Sequence, residues 1–233
     1  MIQTNYSEAK KMLVAVDCIV FGFDEDRKLK LLLVNRDREP HKGKWSLMGG
    51  FVDPEKETEA AANEVLRKLT GLDEIYMEQL RAFTEVGRDT DTERVISIAY
   101  FAIINISNHD KKISKEYGAE WFPVNEMPSL IFDHDIMVEE AKRRLKTRAM
   151  TKPIGFKLLP KKFTIPQLKS LYDLILETDL DKRNFSRRIL DLGVLKKLDE
   201  KEKNFSKKGA FYYEFDDDKY HELLDKGLSF VIK

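Results

Sequence analysis

A single cysteine, Cys18, stands in a chain of 233 residues, which excludes an intramolecular disulfide framework and fits a reducing compartment. It lies inside an apolar run, where a small buried thiol is the ordinary reading and a nucleophile is not. No apolar stretch approaches the ~20 residues that a membrane-spanning helix needs. The N-terminal MIQTNYSEAKK lacks the hydrophobic core of a signal peptide. The expected compartment is therefore the cytoplasm, with no membrane partner. Net charge is missing as well, since 41 Lys and Arg meet 41 Asp and Glu.

What is present describes a globular chain. Hydrophobic residues at 42% and charged residues at 35% suffice for a core, in one large domain or two modest ones. The zero balance hides an uneven spread. Between Lys152 and Lys208, 15 basic residues stand against 8 acidic ones, a surplus of +7, while residues 1–151 carry −4 and residues 209–233 carry −3. A basic block of this kind marks a region facing a polyanion, with a solvated lysine-rich surface as the plainer alternative.

The first half alternates strand and helix patterns. Leu13–Phe23, Leu29–Asn35, Ser46–Val52, Met77–Glu85, Arg94–Ile104 and Gly118–Val124 read as strands, with the polar loop RDREPHKGKW between the second and third. From Glu57 to Leu69 the residues Ala61, Ala62, Val65, Leu66 and Leu69 recur at helical spacing, and Gly71 supplies a stop. Ile136–Arg148 repeats that pattern through Ile136, Val138, Ala141 and Leu145. Strands with helices on their faces imply an α/β/α sandwich over residues 1–150.

Two prolines in Thr151–Lys162 break the helical pattern and mark a boundary, with a second domain over 151–233. Thr164 then caps a helix, with Pro166 in its first turn and Ile165, Leu168, Leu171, Tyr172 and Ile175 as its apolar stripe. A second helix, Lys182–Leu192, buries Phe185, Ile189 and Leu192 and turns Arg183 and Arg187 away from them. A short strand, Val194–Leu198, and its return over Ala210–Phe215 follow. Helix, turn, basic helix and hairpin make a winged helix-turn-helix, with Ile136–Arg148 as a source of its first helix. A helical protein-interaction appendage is the alternative.

Gly50, Leu66, Gly71 and Leu72 fall on the landmarks of G-x5-E-x7-R-E-U-x-E-E-x-G-U, where U is aliphatic, and the stretch resembles a Nudix box. The approach to it is similar too, with Gly43, Trp45, Leu47, Gly49 and Gly50 in the pattern G-x-W-x-L-x-G-G. GRD followed by RVISIAYFAI resembles the ADP-ribose pyrophosphatase branch of that family. The carboxylates do not follow. In register with Gly71, the expected glutamate falls on Lys56, the R-E pair on Glu64-Val65, and the E-E pair on Lys68-Leu69. Mg²⁺ requires hard oxygen ligands, so neither a catalytic residue nor a metal or cofactor is expected here. FDHDIM, FKLLPKKFTIPQL and LDKRNFSRRIL complete a resemblance to the Nudix-related transcriptional regulators of the NrtR family. In that family a Nudix-like sensor precedes a winged-helix reader. The degenerate box resembles a branch that includes regulators responding to L-arabinose.

The resemblance implies a ligand-responsive repressor that binds double-stranded operator DNA as a homodimer and is released by a small polar effector. A sugar or nucleotide sugar, L-arabinose first, is the expected effector. The candidate effector residues are Asp17, Trp45, Gly49, Gly50, Glu85, Arg88, Asp133 and His134. Several carry structural alternatives: Asp17 a paired strand-end carboxylate, Asp133 a helix cap, His134 a packing residue, and Trp45 part of the core. The candidate DNA contacts are Thr164, Lys182, Arg183, Asn184, Ser186, Arg187, Arg188, Lys207 and Lys208. The rival reading is an active Nudix hydrolase of ADP-ribose or a related nucleoside diphosphate compound.

Overall fold

The apolar run at the start of the chain becomes strand β1 (Leu13–Phe23), buried without interruption from Ala15 to Phe23. Continuous burial means that both faces of the strand are covered, which is why the sequence shows no alternation. In the computed structural model, which describes residues 10–23, 28–89, 94–109, 118–203 and 209–227, β1 lies centrally in a seven-stranded sheet. The other strands are β2 (Leu29–Asn35), β3 (Trp45–Ser46), β4 (Met48–Phe51), β5 (Glu78–Phe83), β6 (Val95–Asn105) and β7 (Ala119–Pro123). The main path runs β3-β2-β1-β6-β5, while β4 pairs with β1 and β7 with β2. Helix α1 (Thr58–Thr70) buries Ala61, Ala62, Leu66 and Thr70 and ends on Gly71, whose left-handed φ of 75° lets its N–H return to the Arg67 carbonyl. Helix α2 (His134–Thr151) buries Met137, Val138, Ala141, Leu145 and Ala149. The expected combination of sheet and helices is present as an α/β fold.

The chain divides into two compact units. One comprises Met1–Phe21, Lys30–Ala102 and His109–Ala141; the other comprises Gly22–Leu29, Ile103–Asn108 and Lys142–Lys233. The second unit thus takes the C-terminal part of α2, the part whose Lys146 and Lys142 meet Glu177 at 2.6 and 3.5 Å.

In the second unit a short 3-10 turn (Ile154–Lys157) precedes β8 (Phe163–Thr164), α3 (Ile165–Leu176), α4 (Lys182–Asp191), β9 (Leu195–Glu202), β10 (Ala210–Phe215) and α5 (Asp217–Asp225). Thr164 caps α3 through a capping box with Gln167, and the apolar stripe of α3 is buried as its spacing requires. Tyr172 and Phe185 join α3 to α4 with ring centroids 5.5 Å apart, and Phe156 stacks on Phe215 at 4.5 Å. The strands form a three-stranded sheet in the order β8-β10-β9, which completes a winged helix.

Besides the division of Ser46–Val52 into β3 and β4 and the short strand β8, two features differ from the sequence reading. Strand β9 continues to Glu202 through residues expected to turn. Past a register irregularity that takes in Asp199 and Glu200, β10 pairs again with Lys201 and Glu202, and the Phe211 ring receives the Lys197 and Lys201 ammonium groups at 3.7 and 4.3 Å. Helix α5 was not anticipated, although Asp216 caps it and Asp217 and Asp218 occupy its first turn. No helix among the described residues is long and apolar enough to cross a membrane.

Candidate functional site

Asp17 is the one carboxylate in the buried length of β1, and it is 5% exposed. Its partners come from three other segments. The Ser97 hydroxyl on β6 donates to Oδ2 at 2.5 Å, Arg88 Nη2 lies 3.6 Å from Oδ2, and His134 Nε2 lies 3.4 Å from Oδ1. Burial pushes the carboxyl upward, but His134, Ser97 and Arg88 together outweigh it and hold Asp17 below its usual range. The Leu47 N–H donates to His134 Nδ1 at 3.1 Å, so the hydrogen-bond pattern assigns the ring proton to Nε2, the nitrogen beside Asp17. Arg88 donates to both Asp133 oxygens, from Nε at 2.9 Å and from Nη2 at 2.7 Å. Asp133 is therefore tied to the arginine through its side chain, in a planar two-point contact.

Residues of this network line a cavity of about 750 Å³, with Asp17, Arg88 and His134 joined there by Gly49 and Gly50. Gly49 pairs with Asp17 across β1 and β4, and a Cβ there would stand 2.3 Å from Asp17 Oδ1. Only glycine allows the carboxylate its place. Asp133 adjoins the cavity through Arg88. Trp45 does not line it; the ring is half-buried and packs edge-on against Phe122 with centroids 4.7 Å apart. Glu85 also lies outside, exposed, with its carboxylate 3.8 Å from Arg81.

Residues absent from the candidate set line the cavity too, among them Arg36, Arg38, Leu69 and Phe132. Phe132 (φ 53°) and His41 (φ 69°) both hold left-handed backbone conformations, and their rings meet edge-to-face at 5.2 Å. Such conformations are rare outside glycine and collect at ligand sites. Phe132 directly precedes two residues named from sequence, so its proximity was readable, but its contact with His41 was not.

The stretch resembling a Nudix box implies Mg²⁺, and its donor set does not fit one. Glu64 Oε2 meets Lys56 Nζ at 2.5 Å and Glu64 Oε1 meets Lys68 Nζ at 2.5 Å. Hydrogen bonds from the two ammonium groups hold the Glu64 carboxyl down at about 2. Val65 follows it in sequence, Leu69 lines the cavity, and no group of three His, Cys, Asp or Glu among the described residues is placed to hold a metal.

In the second unit, Asp181 Oδ1 accepts from the Asn184 N–H at 2.8 Å and caps α4. Phe185 and Ile189 face inward, while Lys182, Arg183, Asn184, Arg187 and Arg188 are exposed. Ser186 is half-buried and donates to the Lys182 carbonyl at 2.7 Å; Arg187 Nη2 donates to Asn184 Oδ1 at 3.1 Å. Thr164 stands apart from this face. It is 3% exposed and its hydroxyl is engaged with Gln167. Lys207 and Lys208 lie outside the described residues. The hairpin adds cations that the sequence reading did not name, Lys197 and Lys201 on the Phe211 ring.

Two family models match. Residues 11–144 match the NUDIX domain, and residues 155–215 match the NrtR DNA-binding winged helix domain. The "ADPR responsive transcriptional repressor NtrR" of Acinetobacter baylyi is 32% identical over 219 residues, covering 92% of this chain and 86% of that protein. The crystal structure of Shewanella oneidensis NrtR complexed with a 27mer DNA has a TM-score of 0.76 at 27% identity, covering 89% of this chain and 95% of that one. The NUDIX domain of the same NrtR, crystallised with ADP ribose, has a TM-score of 0.50 at 30% identity, covering 60% of this chain and 93% of that one. The expectation of L-arabinose, and of a carbohydrate response generally, finds no support in these two relatives: one is named as ADPR responsive, and the NUDIX domain of the other was crystallised with ADP ribose.

Proposed function

The chain belongs to the family that joins a NUDIX domain to an NrtR winged-helix DNA-binding domain, and from that premise we propose that it is a transcriptional repressor whose grip on operator DNA is set by ADP-ribose or a closely related nucleotide sugar. The observation that carries this reading is the coexistence of two sites. The first unit holds a cavity lined in part by the mutually paired Asp17, Arg88 and His134, and the second exposes Lys182, Arg183, Asn184, Arg187 and Arg188 on one capped helix. Arg183 and Arg187 read base edges in the major groove, while Lys182, Arg188 and the hairpin lysines hold phosphates. Two copies bind together, because one recognition helix covers too few bases for an operator.

The effector enters the cavity beside Asp17, Arg88 and His134. It shifts DNA affinity only as far as it prefers one state of the protein, and a typical coupling corresponds to a change of about 5–150-fold. The test is fluorescence anisotropy on a labelled operator obtained by in vitro selection, with and without saturating ADP-ribose. Release by ADP-ribose, matched by an equal weakening of ADP-ribose binding on adding operator, is the expected result. Binding of the nucleotide with unchanged operator affinity overturns it.

The rival reading, a hydrolase, is opposed by the Lys56–Glu64–Lys68 arrangement, in which ammonium groups take the carboxylate that a metal would need. Incubation with ADP-ribose and Mg²⁺ should release no AMP above the rate without protein.

A further inference from the structure

A nucleoside diphosphate sugar brings about two negative charges into the cavity, and the protein must offset them. The box helix does not do so with a metal, for the reason given above. Arg88 lines the cavity, but both of its Asp133 contacts are made and Asp17 lies within 3.6 Å, so its charge is already matched inside the protein. Two other arginines line the same cavity, Arg36 and Arg38.

Arg36 is built into place. Its N–H donates to the Lys44 carbonyl at 3.0 Å and its carbonyl accepts from the Gly43 N–H at 2.8 Å, which closes the loop from 36 to 44 at its base. Asn35 Nδ2 tightens the same closure by donating to the Gly43 carbonyl at 3.1 Å. The side chain is fixed as well, since Nε donates to the Pro40 carbonyl at 3.0 Å. That bond uses one of five guanidinium N–H groups and leaves the two terminal NH₂ groups for a ligand, a geometry suited to two-point contact with phosphate. Arg38, two residues on, is exposed at the same cavity. Asp37 and Glu39 also line it and oppose an anion.

We propose that Arg36, assisted by Arg38, receives the diphosphate of the effector directly, so that this chain binds a nucleoside diphosphate sugar without a divalent metal. The inference rests on the functional reading above and names the residues that reading leaves open. It also accounts for a cavity lined by arginines while Lys56 and Lys68 are taken up by Glu64.

The experiment is isothermal titration of the full chain with ADP-ribose and with adenosine, each in EDTA and in excess Mg²⁺. Wild-type protein should bind ADP-ribose equally in the two buffers. Arg36→Ala should weaken ADP-ribose by about 10- to 100-fold, the range for losing hydrogen bonds to a charged group, and leave adenosine unchanged. Arg36→Lys should recover part of the loss, because it keeps the charge but not the two-point geometry. Arg38→Ala gives a second, independent reading with a smaller loss, and Asp37→Asn should tighten binding. Thermal unfolding of each variant confirms that it folds. Mg²⁺-dependent binding by wild type, or unchanged ADP-ribose affinity in both arginine variants, overturns this proposal alone. Failure of wild type to bind ADP-ribose in either buffer overturns the functional reading together with it.

Discussion

Charged side chains serve opposite ends in the two units. In the first, Asp17, Arg88 and Asp133 are 7%, 5% and 11% exposed at their side chains, and each is matched by a partner. In the second, Lys182, Arg183, Arg187 and Arg188 are exposed on α4, whose contribution to the core comes from Phe185 and Ile189. Taking a charge out of water costs several kcal/mol unless a partner compensates, so the buried set fixes itself in one geometry. Solvent-exposed charges contribute about 0–1 kcal/mol per pair to stability and are correspondingly available to a partner. The difference separates residues that shape a site from residues that reach out of one.

The comparison can be broken most directly at Arg88. Arg88→Ala leaves Asp133 and Asp17 buried without their cation, and a loss of about 3–5 kcal/mol in urea unfolding is expected. A loss below about 1 kcal/mol would mean that water already compensates these carboxylates. Next in size, Arg183→Ala and Arg187→Ala should each weaken operator binding by about 1–3 kcal/mol in anisotropy titrations and relax base preference. Neither should change the free energy of unfolding by more than about 0.5 kcal/mol, as for surface substitutions in general. A mutant that unfolds early but binds normally would reverse the assignment of this face.

Acid sharpens the contrast. Asp17 and Glu64 both have folded values below their unfolded ones, so their contributions are complete above the unfolded carboxylate range and are lost as pH falls. For Glu64 the window runs from its ordinary value of 4.5 down to about 2. Stability measured by urea unfolding should fall as the pH drops below about 4.5, and Asp17→Asn should make that decline shallower. The smallest effect belongs to the hairpin. Lys201→Ala should weaken all DNA sequences alike and reduce the slope of log affinity against log salt by about 1. A sequence-dependent loss would instead place Lys201 on a base edge.

Much of the fold was legible because burial leaves a period in the sequence. β1, β2 and β10 have the bounds read from β-branched and aromatic runs, and α1 and α4 lie within a residue of theirs. The reading failed where local charge outweighed pairing. β9 runs on to Glu202 because its neighbour β10 pairs again at Lys201 and Glu202 past an irregularity, a tertiary condition that no window of sequence contains. The wing cations were likewise seen as a surplus of lysine, without the Phe211 ring that positions two of them.

For the site, the sequence by itself determined which residues were anomalous. Asp17 interrupts an apolar strand, lysine and leucine stand where the Nudix pattern has glutamates, and arginines gather on one face of a capped helix. Each of these is a local contradiction between a residue and its surroundings, visible within a few positions. Tertiary structure alone decided which of them meet. Asp17 and Ser97 are 80 residues apart, Leu47 and His134 are 87 apart, and Arg88 and Asp133 are 45 apart, yet all six converge in one network. Glu85, three residues from Arg88, is left outside it, while Arg36 and Arg38 are brought to the cavity from a loop that reads as ordinary polar sequence. The physical reason is that periodicity encodes which side of an element faces the core, whereas the pairing of buried charges depends on distances of 2.5–3.6 Å across separate elements, set only when the sheet and helices have packed.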